Sequence, residues 1–474
     1  MAHIGKHEID LMAHLMRRAG FGAPYHEIVA RATKGYEVTV EELLDPNENG
    51  VPAFDELALA RFYPDIEIPG APASGTSNFM YHMMTTPRPL EEKMTLFWHM
   101  VFATGNSKID NPTEMVRQLG MFRANGLGNY KDLLVHLAKD PAMIYWLDNN
   151  ESHKDAPNEN WGRELLELFT MGQGNYSEDD VKMASRAFTG WTIKPKIPRL
   201  PYGRHLWQFE YKAEDHDDSE KFFLGRTGRF NGEDIIDIVV GETATHNFVA
   251  RHLYNFFVAD EVQVPSWKDV PAQDPKAVEA IANAFVESGF EIRDTLRFIF
   301  NADFFKDESV RFAKVKNPAE VVAGTVRLVG DFRIPRPGLL PISQESGFQG
   351  QEIINPPSVE GWHTGQEWID SGSLLRRINF VADRLGDTSL PGVQSIIDEL
   401  GNRGDMEPEK FVESCLDILG ALRVQDETRQ QLIEHVKAGG ALHRGSSETD
   451  IQAFGQRVAE VLQLIASTRE FQFG

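Results

Sequence analysis

Asn158-Glu-Asn-Trp-Gly-Arg-Glu-Leu-Leu-Glu-Leu-Phe-Thr-Met-Gly172 reads as successive turns of amphipathic helix, and the same rule sorts most of the chain. At about 100° per residue, Trp161, Leu165, Leu166, Leu168 and Phe169 cover one broad arc, and Asn160, Arg163, Glu164 and Glu167 the other. Ser177 then caps a second helix, with Glu178, Asp179 and Asp180 on the positive end of its dipole and Val181, Ala184 and Phe188 as its buried stripe. Outward from here the periodicity recurs from Leu11, Leu15 and Met16 to the closing run at 450–467. No alternation of apolar and polar residues is long enough to found a large sheet. The spacing predicts an all-α protein, a large multi-helix assembly laid out as one helical domain over 1–474 or as two lobes meeting near 192–231.

Two Pro/Gly-rich stretches interrupt the rhythm. Residues 192–231 carry Pro195, Pro198 and Pro201 and read as a long ordered loop or a short hairpin, and residues 331–373 contain Asn355-Pro-Pro-Ser-Val-Glu-Gly-Trp362. Irregular segments of this length inside a packed protein tend to form sites.

Composition narrows the function classes. The 71 acidic residues outnumber the 48 basic ones, giving a net charge of −23, and no run of five lysines or arginines appears. Nucleic acid and anionic membrane surfaces both need a basic face, so neither is an expected partner. The single cysteine, Cys415, excludes an intrachain disulfide and any cysteine-rich metal site, so a metal must be held by His, Asp or Glu. No window approaches the roughly 18 apolar residues of a membrane span. The chain as written is expected in the cytoplasm, or outside it if a leader has been removed. Phosphate-loop, dinucleotide, serine-elbow and H-E-x-x-H signatures are missing, so no nucleotide or flavin is implied.

Two glutamates three residues apart on one helix face, Glu164 and Glu167, can chelate a metal or divide acid and base roles. On solvated helices the same spacing is ordinary, and Arg163 and Arg186 are the cations available to pair with them. His99 lies in Leu96-Phe-Trp-His-Met-Val-Phe102, apolar nearly all round, where a buried imidazole needs partners. His216 and Asp217, in Glu214-Asp-His-Asp-Asp-Ser-Glu220, could reach a metal from a loop or form a solvated acidic turn. His246 and His252 sit in a Phe-rich run that reads as packing, and His3, His7 and His14 as an opportunistic terminal site.

Ten phrases in order carry a resemblance, among them His14-Leu-Met-Arg-Arg-Ala-Gly-Phe-Gly22, Phe97-Trp-His99, Asn158 to Gly172, Ala187-Phe-Thr-Gly-Trp191, Lys316-Asn-Pro-Ala-Glu320, Asn355 to Trp362 and Ala466-Ser-Thr-Arg-Glu-Phe-Gln472. In these the chain resembles, almost end to end, the bacterial domain-of-unknown-function family number 1800, whose label transfers no catalytic role. Members commonly carry a second histidine two places after the first in the Phe-Trp-His phrase, where this chain has Val101. Members also usually place Ser-Pro directly before Glu-Phe-Gln, where this chain has Thr468 and Arg469. The resemblance also implies an accompanying partner similar to the alkaline phosphatase and sulfatase group.

The leading expectation is a metal-dependent enzyme, hydrolytic or oxidative, with iron, manganese or zinc held by His99, Glu164, Glu167, His216 and Asp217. Arg163 and Arg186 would hold the carboxylates or an anionic part of a small-molecule or glycan substrate, and Trp191, Asn355 and Trp362 would line the pocket. The alternative is a non-catalytic binding or assembly protein in which the same polar residues form a network fixing helix register.

Overall fold

The computed structural model describes residues 4–64, 74–194, 206–262, 267–440, 442 and 444–474. Helices dominate, as the periodicity predicts, and one contiguous apolar core gathers side chains from Met12 near one end of the chain to Phe471 near the other. No helix among the described residues is long and apolar enough to cross a membrane.

The first irregular stretch contains strands that the sequence reading did not separate. β1 (Trp191–Lys194) pairs antiparallel with β2 (Gln208–Tyr211), and β3 (Lys221–Phe223) with β4 (Arg226–Gly228). Each is only three or four residues long, too short for alternation to register. The three prolines of that stretch lie outside the described residues. In the second stretch, short helical turns at Leu339–Ser343, Glu345–Phe348 and Gly365–Trp368 punctuate irregular chain. That chain is tied down by backbone groups: the Asn106 amide donates to Ile354 O at 2.9 Å, and the Thr76 hydroxyl to Ile353 O at 3.2 Å.

One buried helix escaped the periodicity. Ser74–Thr85 runs through Phe79-Met-Tyr-His-Met-Met, with no polar face to set a phase, because Phe79, Met80 and Met83 are fully enclosed. Beside it lies Pro89–Val101, the His99 helix, which is buried along nearly its whole length. Trp98 stacks on Phe102 at 5.0 Å and donates its indole N–H to Gly126 O at 2.8 Å, which satisfies its one polar atom.

The carboxylate helix begins at Asn160–Glu164 and continues as a π-helical turn, Leu165–Thr170. Trp161, Leu165 and Phe169 are buried, worth about 1.5–3 kcal/mol for each large apolar side chain removed from water. It packs closely against Glu178–Ala187, which starts with the expected Ser177 cap and an Asp180 capping box. Gly162 permits the approach: a Cβ there would lie 2.3 Å from Ser185 Oγ and 3.0 Å from Val181 O. The wider π turn displaces carbonyls from the regular ladder, and side chains meet them. The Thr170 hydroxyl donates to Leu165 O at 2.6 Å, and the buried Tyr130 hydroxyl donates to Phe169 O.

Candidate functional site

Glu164 occupies the last α turn before the π segment, half-buried, and no hydrogen bond or ion pair reaches its carboxylate among the described residues. Burial, together with the negative charges of Glu167 and Glu360 and against the pull of Arg163, pushes its carboxyl up to about 7. Glu360 comes from the second irregular stretch, which therefore faces the carboxylate helix. Glu167 accepts the Tyr176 phenol proton at 2.5 Å, so its orientation is fixed by a residue nine positions on. Burial and Glu167 in turn hold the Tyr176 hydroxyl well above the ordinary phenol range.

The same loop reaches the His99 helix. Trp362, buried, meets the His99 ring edge-on at 5.4 Å, and Phe79 closes on it at 6.5 Å. His99 Nε2 accepts the Ile354 amide at 3.0 Å, which assigns the ring proton to Nδ1, a buried atom with no partner. Burial lowers the imidazole to about 3, so it is neutral at physiological pH. Asn355 ties the loop to the turn after the helix by accepting the Ser107 amide at 3.0 Å. Gly361 lets the loop lie flat there, with φ +83 and a notional Cβ 2.4 Å from Met100 O.

Thus a single loop, carrying Asn355, Glu360 and Trp362, reaches both the carboxylate helix with Glu164 and Glu167 and the separate His99 helix. Other expected members are engaged elsewhere. Arg163 forks onto Glu178 at 2.9 and 2.8 Å and reaches Glu159 at 3.4 Å, leaving the Glu164–Glu167 pair without a bound guanidinium. Arg186 donates through Nε to Asp217 at 2.6 Å and through Nη2 to Ser219. Although burial opposes it, the Arg186 and Ser219 contacts hold the Asp217 carboxyl well below the usual range. His216 has its Nδ1 on Thr189 O at 2.9 Å and its ring edge-on to Tyr211. His216 and Asp217 therefore seal the β-hairpin region onto the end of the Glu178–Ala187 helix. Trp191 is packed between Phe188 and Phe209, at 5.1 and 5.2 Å, in the core rather than on a pocket wall. Among the described residues, no three His, Cys, Asp or Glu side chains gather so as to hold one metal ion.

Of the other candidate histidines, His14, His246 and His252 are packing groups and His7 is exposed. His14 is fully buried with Nε2 on Phe305 O at 3.0 Å, and His252 lies between Phe248 and Trp267 at 4.3 and 4.8 Å. His246 stacks on Phe290 and has its Nε2 on Val240 O at 2.9 Å. His3 lies outside the described residues. Sequence reasoning missed Glu360 and Tyr176 as members of the site, although Glu360 lies in the Asn355–Trp362 phrase and Tyr176 directly precedes the Ser177 cap.

No curated protein and no solved structure matches this chain. One family does, over residues 14–473, and its description is "Protein of unknown function (DUF1800)". That match takes in the carboxylate helix, the His99 helix and the Asn355–Trp362 loop alike. The chain belongs to the DUF1800 family.

Proposed function

We propose that this protein is an enzyme in which Glu164 carries a proton to or from a bound small molecule, with Glu167 oriented by Tyr176 and Glu360 facing them from the loop. The observation that supports this is the Glu164 carboxyl, raised to about 7 and left without a hydrogen-bonded partner. A group poised near neutral pH in a half-shielded setting can both give and take a proton, and a fold that needed only a surface acid would have solvated or paired it. Among the expected metal ligands, His99 spends its lone pair on the Ile354 amide and Asp217 is held by Arg186, whereas His216 donates from Nδ1 to Thr189 O and keeps its lone pair on Nε2.

The rival reading, a non-catalytic protein whose polar residues fix helix register, is favoured by one feature: Arg163 and Arg186 are both consumed in ion pairs between elements. An untargeted comparison separates the two. Wild-type protein and Glu164→Gln are each incubated with a small-molecule extract, with and without added divalent metal, and analysed by mass spectrometry. A compound consumed by the wild type and spared by the variant supports the enzyme. An extract unchanged by both folded proteins, with and without metal, overturns it.

A further inference from the structure

A second concave site, sharing no residue with the Glu164 centre, is built from three of the family phrases that lie far apart in sequence. Arg17 and Arg18 come from the first, Lys316 and Glu320 from the middle one, and Phe471 from the last, and together with Lys314 they line a cleft enclosing about 790 Å³ of empty space, part of it open to solvent. Its charge is lopsided. Glu320 is the lining side-chain carboxylate, already bound by the buried Lys93 ammonium and by the Asn317 amide at 2.8 Å, and the terminal Gly474 also lines the cleft beside Lys316. Lys314 reaches Asp260 at 3.5 Å.

Arg17, Arg18 and Lys316 make no ion pair with a carboxylate among the described residues; they donate instead to the carbonyls of Gly420, Val310 and Phe471 at 2.5, 2.9 and 2.8 Å. The Nε atoms of Arg17 and Arg18 are buried without a partner, and Arg18 is only 3% exposed. The fully buried Arg377 adds a further positive charge close by, with its Nη2 on Lys316 O at 2.7 Å. Burial, with Arg17 and Arg377 as the next causes, lowers the Lys316 ammonium to about 7, and burial and Arg18 lower Arg17 to about 9. Shielded cations with unspent donors are costly to keep unless something neutralises them. In a chain whose net charge is −23, collecting them in one cleft is the opposite of what solubility alone would place there.

We infer that this cleft binds an oxyanion of charge −2, a phosphate or sulfate group, carried on an organic body that rests against the apolar part of the wall. Two guanidinium groups from one helix end and a lysine from a distant segment supply more donors, in more directions, than a planar carboxylate can accept, whereas a tetrahedral anion accepts from all sides. Phe21, Ile28, Leu328 and Leu419 provide the apolar wall. Binding would draw a proton onto Lys316 above neutral pH, because a neighbouring anion favours the ammonium that Arg17 and Arg377 now disfavour.

The test uses the full chain and inorganic phosphate and sulfate, at constant ionic strength against chloride. The melting temperature should rise with the logarithm of anion concentration once that exceeds a dissociation constant below about 1 mM, as binding to the native state alone requires. Arg17→Lys and Lys316→Gln should each raise that dissociation constant at least tenfold while still melting cooperatively. Should either variant fail to fold, calorimetry on the wild type at about pH 8 in two buffers of different ionisation heat decides, with net proton uptake expected on binding. Phosphate and sulfate binding that survives both variants, binding with no proton uptake, no rise in melting temperature with either anion beyond that in chloride, or a preference for succinate over both would each overturn the assignment.

Discussion

Replacing Glu164 by Gln should make the protein more stable, by an amount that grows as pH rises from about 4.5 to about 7 and is full above that. In the unfolded chain this carboxyl ionises near 4.5, whereas in the fold burial and its two acidic neighbours delay ionisation to about 7. A raised carboxyl favours the fold fully below the unfolded value, and that contribution is lost as pH rises through the folded one. A shift of about 2.5 pH units corresponds to at most about 3.4 kcal/mol at 1.36 kcal/mol per unit. Because Glu164 is only half-buried, solvent screening reduces this to about 1–2 kcal/mol. Gln is nearly isosteric and never ionises, so the variant should gain about 1 kcal/mol more over wild type at about pH 8.5 than at about pH 5.5. Urea midpoints read at both pH values, with an unchanged denaturant slope, measure the difference. An equal gain at the two pH values, or a loss at the higher one, would refute the reasoning. A variant that is both firmer and inert would mark Glu164 as kept for use at the expense of stability.

The packing dictates three further outcomes. Gly162→Ala should cost about 1–3 kcal/mol and lower the melting temperature, since its methyl would press on Ser185 and Val181 of the neighbouring helix; an unchanged melting curve would show that the helices can part. Glu92 is buried, and although burial opposes it, Arg123, with Nε at 2.5 Å and Nη2 at 2.9 Å, and His82 take its carboxyl down to about 2. Its contribution is present above about 4.5 and lost as pH falls towards 2, so Glu92→Gln should cost about 3 kcal/mol at neutral pH and flatten the acid-unfolding profile over that window. Tyr176→Phe removes the phenol that orients Glu167, with an expected cost of about 1–2 kcal/mol; chemical-shift mapping should confine the change to the carboxylate helix, and spread beyond it would contradict the local role.

The helical class was legible because most helices expose one face, and a one-sided burial pattern writes a period of 3.6 into the sequence. Ser74–Thr85 was illegible for the same reason in reverse, being enclosed on every side. The carboxylate pair was readable as a place, since Glu164 sits at the seam between an apolar and a polar arc. Glu360 was not, although Asn355 and Trp362 of the same loop were singled out, because it arrives across about 200 residues of chain on a loop without periodicity. His216 and Asp217 drew attention as ligand types, yet Thr189, Ser219 and Arg186 satisfy them, and nothing in a linear string shows which partner a loop will meet. The cationic cleft hid in the same way: Arg17, Lys316 and Phe471 are ordinary residues until the fold assembles them.

The π turn at Leu165–Thr170 acts as a shim in the helix that bears the acids. Each residue wound this way advances the spiral less than an α residue would, so the segment offsets the phase between the turns on its two sides. The wider turn holds one residue more than an α-helix would over the same arc, so deleting that residue would restore a uniform spiral with the later turns near their present phase. The same deletion in the preceding α turn would swing everything downstream by about 100° and take Phe169 out of the core. The aim of this acid is therefore a matter of angular timing along one rod, sensitive to chain length in a way that substitutions at the same positions would not reproduce.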